Sequence, residues 1–153
     1  MIVRPLAVED LAAVKRVIDA TALFPSEMLD EMTAPFLSDP SSEEFWLVAE
    51  DRAPVGVAYC APERMTQGTW NTLLIAVEPS RHGQGLGRRI MAEVEAALKA
   101  RGHRLLLVET SADPAFEGTR GFYRRLGYGE EARIRDFYRA GEDKVVFRKD
   151  LTA

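Results

Sequence analysis

Three glycines at alternate positions form the part of the sequence best suited to chemistry. The run Arg-His-Gly-Gln-Gly-Leu-Gly at residues 81–87 follows an apolar, strand-like segment and precedes a helical pattern. Glycines let successive backbone N–H groups point into one concavity without obstruction by a Cβ atom. The N-terminus of the following helix adds the positive end of its dipole. The turn therefore predicts a diphosphate site, beside which Arg81, Arg88 and Arg89 supply positive charge.

Two common nucleotide-binding loops do not fit this turn. A Walker A loop requires a lysine and a hydroxyl residue after its last glycine, whereas Arg88 and Arg89 follow Gly87. A dinucleotide-binding fingerprint requires G-x-G-x-x-G after the first strand of a parallel unit. Here the spacing is G-x-G-x-G, and the preceding strands are predicted to be antiparallel. A tight turn that only packs a helix on a sheet is the remaining alternative.

Composition restricts the class of protein further. The chain has 153 residues, 46% of them apolar and 29% charged, which is typical of one globular domain. A net charge of −4 argues against a nucleic-acid partner or an anionic membrane. The single cysteine, Cys60, excludes an intrachain disulfide, and we expect a buried, inert thiol there. Without a long apolar run or a signal-peptide core, we expect a cytoplasmic location.

Apolar periodicity and turn residues predict the elements that must position the glycine turn. We expect both faces of the strand at residues 69–77 to be covered, Ser26 to cap the second helix, and Gly102 and Gly127 to end the last two helices. Strands are predicted at 2–4, 45–50, 55–61, 69–77, 105–109, 128–138 and 144–148, and helices at 8–20, 26–37, 86–99 and 117–126. This order, β-α-α-β-β-β-α-β-α-β-β, predicts an α/β (mixed α+β) fold: a mixed, mostly antiparallel sheet of about seven strands flanked by four helices, in one domain over residues 1–153.

Two segments resemble the motifs of one family. Ile-Ala-Val-Glu-Pro at 75–79 through Gln-Gly-Leu-Gly-Arg at 84–88 is similar to the acetyl-CoA signature of the GNAT superfamily of N-acetyltransferases. Gly-Phe-Tyr-Arg-Arg-Leu-Gly-Tyr at 121–128 resembles that family's F-Y-x-x-x-G-F/Y element. The resemblance covers nearly the whole chain. It implies a GNAT-like domain that transfers an acetyl group from acetyl-CoA to an amine, with no metal.

The resemblance also implies which residues hold the coenzyme. His82 stands where the family usually has Gln or Arg; a neutral histidine can still donate one hydrogen bond, or His82 is a loop residue without a role. Ser111 stands on the loop where family members often carry Asn. The implied coenzyme-binding residues are Ile75, Ala76, Val77, His82, Gly83, Gln84, Gly85, Leu86, Gly87, Arg88, Ser111, Phe122 and Tyr123.

For catalysis, the resemblance assigns Tyr123 as the general acid that protonates the departing thiolate. The alternative for Tyr123 is a core aromatic paired with Phe122. Family members often place a glutamate on the fourth strand as base, but residues 69–74 contain no carboxylate. Glu109 is the best substitute, unless it is a paired structural carboxylate. The other candidates for the base are Asp113 and a relay water held by Asn71 or Thr72.

The acceptor amine, small or peptidic, is expected on the side opposite the coenzyme. The first two helices, Trp70, Phe137 and Tyr138 are candidate walls, unless the aromatic residues only pack the sheet. The absent fourth-strand carboxylate favours one alternative, a non-catalytic acyl-CoA-binding sensor. A homodimer is the default expectation for the assembly.

Overall fold

A seven-stranded sheet lies at the centre of the computed structural model, which describes residues 1–153. The strands are β1 (Ile2–Pro5), β2 (Phe45–Asp51), β3 (Ala53–Pro62), β4 (Thr69–Val77), β5 (Leu105–Ser111), β6 (Gly129–Arg139) and β7 (Glu142–Asp150). Their order across the sheet is β1-β2-β3-β4-β5-β7-β6. Only β4 and β5 are parallel, and all other neighbours are antiparallel. The predicted mixed, mostly antiparallel sheet is confirmed.

Four α-helices flank the sheet: α1 (Leu11–Thr21), α2 (Leu29–Ser38), α3 (Leu86–Ala100) and α4 (Glu117–Arg125). Single 3₁₀ turns, Val8–Asp10 and Ser26–Met28, precede the first two helices, which therefore begin later than predicted. Ser26 is not the cap of α2, because it lies inside the 3₁₀ turn and no side chain caps that turn. None of the helices is long and apolar enough to cross a bilayer.

The helices cover both faces of the sheet, and each face has its own apolar cluster beneath its two helices. Under α3 and α4, the predicted apolar stripe of Ile90, Met91, Val94 and Leu98 is buried, and so is Leu86 at the start of α3. Under α1 and α2, Trp46, Val48 and Val57 pack against Val14 and Ile18. Burial of two such layers is the main favourable contribution to folding.

β4 and β5 separate after a short parallel ladder. Their pairing runs from Thr69 opposite Leu105 to Thr72 opposite Val108 and then stops. Beyond it, β4 continues on β3 as far as Val77, while β5 continues on β7. A wedge therefore opens between the two strands, and one backbone edge of residues 73–77 has no neighbouring strand. The expectation that both faces of β4 are covered is wrong at Leu73, whose side chain lies at this opening and is 52% exposed.

Candidate active site

A cavity of about 710 Å³ occupies the mouth of the wedge on the α3–α4 face. This volume is in the range of small-molecule sites. The end of β4, the glycine turn, the start of α3 and one side of α4 form its walls. All the predicted coenzyme-binding residues except Gln84 and Ser111 line it, namely Ile75, Ala76, Val77, His82, Gly83, Gly85, Leu86, Gly87, Arg88, Phe122 and Tyr123.

The three glycines are needed for two different reasons. Gly83 and Gly85 have φ angles of +78° and +80°, which side-chain-bearing residues rarely adopt, and a Cβ atom on either would meet no atom within 4 Å. A Cβ on Gly87, by contrast, would lie 3.1 Å from Cζ of Phe122. The first two glycines therefore shape an open concavity, and the third lets α3 approach α4 closely.

The N-terminus of α3 opens onto this concavity without a side-chain cap. Gly85 is the N-cap residue and has no side chain to accept a hydrogen bond from the first turn. The first backbone N–H groups of a helix have no partner within the helix. Those of Leu86 and Gly87 are therefore left for a ligand, at the positive end of a 15-residue helix.

Of the arginines that line the cavity, one is held in an ion pair and two are not. Arg81 pairs with Asp51 and donates to Oε1 of Gln84 at 3.1 Å, which holds Gln84 outside the cavity lining. Arg88 and Arg125 line the cavity and take part in no ion pair. Their two uncompensated positive charges add to the attraction of the turn for anionic groups.

His82 makes a hydrogen bond within the turn itself. Its Nε2 lies 2.8 Å from the carbonyl oxygen of Val77, and because a carbonyl only accepts, Nε2 carries the proton. The one hydrogen bond that a neutral His82 can donate therefore ties the turn to the end of β4.

Tyr123 lies at the inner end of the cavity and is 4% exposed. Its ring packs against Phe122, Tyr128 and Phe147, with centroids 5.3–5.9 Å apart. Burial is the sole cause that raises its pKa above that of a free phenol, and the hydroxyl has no hydrogen-bond partner in the chain. Burial disfavours the phenolate, so the hydroxyl stays protonated at neutral pH. The ring of Tyr123 therefore belongs to the core, as the alternative expected, and its hydroxyl makes no hydrogen bond within the chain.

Glu109 does not lie in this cavity. Its Oε1 accepts a hydrogen bond from Nδ2 of Asn71 at 3.0 Å, and its Oε2 lies 2.6 Å from Nζ of Lys144. The same Nδ2 of Asn71 donates to Oε1 of Glu63 at 2.9 Å. The structure thus joins Glu109 to Asn71 and to Glu63, a carboxylate that the sequence analysis did not single out.

The loop after β5 is held by its own contacts. The Ser111 hydroxyl donates to Oε2 of Glu142 at 2.7 Å and accepts the N–H of Asp113 at 3.0 Å, so the side chain turns away from the cavity. The Asp113 carboxylate accepts the N–H of Ala115 at 2.9 Å. Arg120 of α4 donates to the carbonyl oxygens of Ser111 and Asp113 at 2.7 and 2.9 Å. This clamp fixes the start of the helix that carries Tyr123.

Two other expected site residues belong to the core. Trp70 is 3% exposed and packs on Phe45 and His103, so it is not a wall of an acceptor pocket. Thr72 is buried, with Oγ1 3.6 Å from Sγ of Cys60, and is not placed to hold a water for the acceptor. Burial raises the pKa of the Cys60 thiol to about 12, as expected for an inert cysteine.

Several residues of the cavity were missed by the sequence analysis. On the α4 side the spacing of Ala115, Gly118, Thr119, Phe122 and Leu126 is that of one helical face, a signal that was available. Thr21 and Leu23, at the end of α1, also line the cavity. Both lie beyond the predicted end of the first helix, and no sequence signal marks them.

Comparison with known proteins gives one family. A family model described as an acetyltransferase (GNAT) domain matches residues 41–130. A crystal structure from Desulfovibrio desulfuricans, of a protein assigned to the GNAT family of acetyltransferases, is 34% identical over 98% of both chains, with a TM-score of 0.88. No curated protein sequence is similar enough to match.

More distant solved structures share the fold. An aminoglycoside 6′-N-acetyltransferase complexed with coenzyme A is 17% identical, with 99% of this chain and 97% of that chain covered and a TM-score of 0.79. A ribosomal-protein-alanine N-acetyltransferase from Brucella melitensis is 20% identical, with 98% and 99% covered and a TM-score of 0.80. At this identity the likeness shows the fold alone.

Proposed function

This chain belongs to the GNAT family of acetyltransferases, and on that premise we propose that it transfers the acetyl group of acetyl-CoA to a primary amine by direct attack. The observation that carries the proposal is the single cavity that joins the glycine turn to Tyr123 through the wedge between β4 and β5. One end of this cavity suits a diphosphate, and the other offers a proton donor beside an unpaired strand edge.

The glycine turn fits the coenzyme's diphosphate in shape and in charge. Gly83 and Gly85 leave open space where a side chain would stand, and the uncapped N-terminus of α3 supplies backbone donors. A hydrogen bond to a charged group is worth about 1.5–3 kcal/mol, so several of them suffice to anchor a diphosphate. Arg88 and Arg125, the two uncompensated cations of the lining, add long-range attraction.

The free edge of β4 suits the pantetheine arm and the thioester. Backbone groups of residues 75–77 that point toward the wedge have no strand partner there. A ligand in the wedge would therefore complete the ladder, as an added strand would. An N–H of this edge, directed at the thioester oxygen, would stabilise the negative charge that develops during attack.

Tyr123 is the proposed general acid. A departing thiolate must be protonated, and a tyrosine whose pKa is raised by burial holds its proton until a strong base arrives beside it. A thiolate formed in the same buried environment is such a base, because burial disfavours its charge as well. The hydroxyl makes no competing hydrogen bond in the chain.

The amine must lose a proton before or during attack. For an amine with a pKa of about 10.4, freeing the lone pair at pH 7 costs on the order of 4–5 kcal/mol. We propose that Glu109 takes this proton. Asn71 and Lys144 occupy one position on each of its oxygens, and an ionised carboxylate has about four lone-pair sites, so acceptor capacity remains.

The experiment is a screen of primary amines with acetyl-CoA, followed by release of free thiol and by mass spectrometry of the amine. Free thiol and acetylated amine in equal amounts are the expected result. The absent carboxylate on β4 favours the alternative, an acyl-CoA-binding sensor. Binding of acetyl-CoA with no transfer to any amine would support the sensor and contradict the proposed enzyme.

A further inference from the structure

A row of contacts crosses the sheet on the face opposite Tyr123. From the residue after β3 to β6 it runs Glu63–Asn71–Glu109–Lys144–Phe137, and we call these five residues the acceptor row. Side chains alternate between the faces of a strand. Glu109 and Lys144 therefore point away from their neighbours Val108 and Val145, which pack in the cluster that contains Tyr123.

The acceptor row lies at the apex of the wedge. Thr72 opposite Val108 is the last paired position of β4 and β5, and Glu109 is the next residue of β5. Asn71 directly precedes Thr72 on β4 and bonds to Glu109 across the gap. A group bound on the row would thus stand beside the opening through which the cavity on the other face is reached.

Glu63 is the carboxylate of this row without a cationic partner. Glu109 pairs with Lys144 at 2.6 Å. The carboxylate of Glu63 receives one hydrogen bond, from Asn71 to Oε1, and takes part in no ion pair. The row therefore carries one uncompensated negative charge.

A buried acceptor atom beside Glu63 also lacks a donor. Asn71 is 2% exposed and its Oδ1 has no hydrogen-bond partner. Its orientation is fixed, because the two carboxylates on either side only accept and so require the NH₂ group. The site thus holds an anion and an orphaned oxygen, while its one cation, Lys144, is paired with Glu109 and lies 3.9 Å above the ring of Phe137.

We propose that the acceptor binds as an ammonium cation paired with Glu63, and that the enzyme selects amines with no carboxylate next to the amine. A carboxylate there would lie near Glu63 and Glu109 and would find no free cation in the acceptor row. The half-exposed rings of Phe137 and Tyr138 at the β6 end of the row offer an apolar surface to the body of such an amine. This inference rests on the proposed function, because it names the substrate class of the same site.

The experiment compares phenylalaninamide and butylamine with phenylalanine as acceptors, in wild type and in Glu63→Gln. The amide introduced by this substitution keeps an oxygen for the bond from Asn71, so the fold is expected to survive. We expect phenylalanine to react at least about tenfold less efficiently than phenylalaninamide. Glu63→Gln should raise KM for phenylalaninamide at least about tenfold and leave KM for acetyl-CoA unchanged.

Glu93→Gln is the matched control, because it removes the same charge from an exposed position of α3 that is in no ion pair. It should leave both KM values unchanged. Equal KM for phenylalaninamide in wild type and Glu63→Gln, or equal use of phenylalanine, would overturn the inference while the acetyltransferase activity stands.

Equilibrium binding of butylamine to the CoA-saturated protein keeps the inference testable if no amine reacts. Binding that is lost in Glu63→Gln but not in Glu93→Gln would support the ammonium site even though the proposed function had failed. Equal binding to both variants and to wild type would overturn it.

Discussion

Replacing Tyr123 by phenylalanine removes one oxygen from the inner end of the cavity and nothing else. The ring keeps its contacts with Phe122, Tyr128 and Phe147. The hydroxyl makes no hydrogen bond within the chain, and the buried side-chain atoms without a partner are Trp46 Nε1 and Asn71 Oδ1, so the Tyr123 oxygen is open to the cavity. Because the substitution breaks no hydrogen bond within the chain, we expect the free energy of unfolding of Tyr123→Phe to lie within about 1 kcal/mol of the wild-type value.

Turnover should fall although stability does not. General acid catalysis contributes about 10²- to 10⁴-fold, which corresponds to about 3–5 kcal/mol of transition-state stabilisation. We expect kcat of Tyr123→Phe to drop by that factor, with the dissociation constant of acetyl-CoA unchanged, because the hydroxyl acts on the leaving sulfur and not on the diphosphate. The measurements are steady-state thiol release, calorimetric titration and urea unfolding on the same preparation.

Tyr128→Phe is the matched control, because it removes the same atom from a neighbouring ring in a different setting. Its hydroxyl donates to Oε2 of Glu95 at 2.8 Å, so its loss leaves a carboxylate short of a donor. We expect Tyr128→Phe to lose about 1–3 kcal/mol of stability and to keep its kcat. Wild-type turnover in Tyr123→Phe, or an equal loss of turnover in both variants, would refute the general-acid assignment.

Two further substitutions test the turn and the packing of the first strand. Gly85→Asp should raise Kd for acetyl-CoA at least about tenfold, because it puts a carboxylate into the concavity. Gly141→Asp is its control: at a φ of +84° in the β6–β7 turn it imposes the same backbone strain and should leave Kd unchanged. Asp10 is held by Arg4 and by the N–H of Ala7, and the Arg4 hydrogen bonds are the main cause that lowers its pKa below 3.8. A lowered folded-state pKa means that this stability is present above pH 3.8 and is lost as the pH falls through the folded value. Asp10→Asn should therefore lower the free energy of unfolding by about 1–3 kcal/mol at pH 7, and this free energy should fall less than that of wild type as the pH is lowered. Urea unfolding at several pH values measures both; a fall as steep as that of wild type would contradict the role of Asp10.

The fold could be predicted from the sequence where local patterns decide the structure. The strand Thr69–Val77 has the predicted bounds, because a dense apolar run stands between turn residues. The stripe Ile90, Met91, Val94 and Leu98 is buried as its spacing predicts. The glycine turn could also be predicted, since positive φ angles at Gly83 and Gly85 require glycine whatever the rest of the chain does.

What could not be predicted depends on partners distant in sequence. Leu73 is exposed where a bulge leaves it without a partner on β3 and where β5 leaves β4. The face to which Trp70 points is fixed by the register of its strand with β5, which places it in the core. The acceptor row joins Glu63 to Lys144 through side chains of several strands, and no spacing along the chain indicates such a set.

The most direct test of the central claim is calorimetric titration of the protein with acetyl-CoA and with S-acetylpantetheine, which keeps the thioester but lacks the diphosphate. If the concavity of Gly83 and Gly85 at the start of α3 holds the diphosphate, acetyl-CoA binds with a dissociation constant in the micromolar range, about −8 kcal/mol, and S-acetylpantetheine shows no measurable binding. Equal affinity for both compounds, or no binding of acetyl-CoA, would contradict the assignment of the turn and of the cavity it borders.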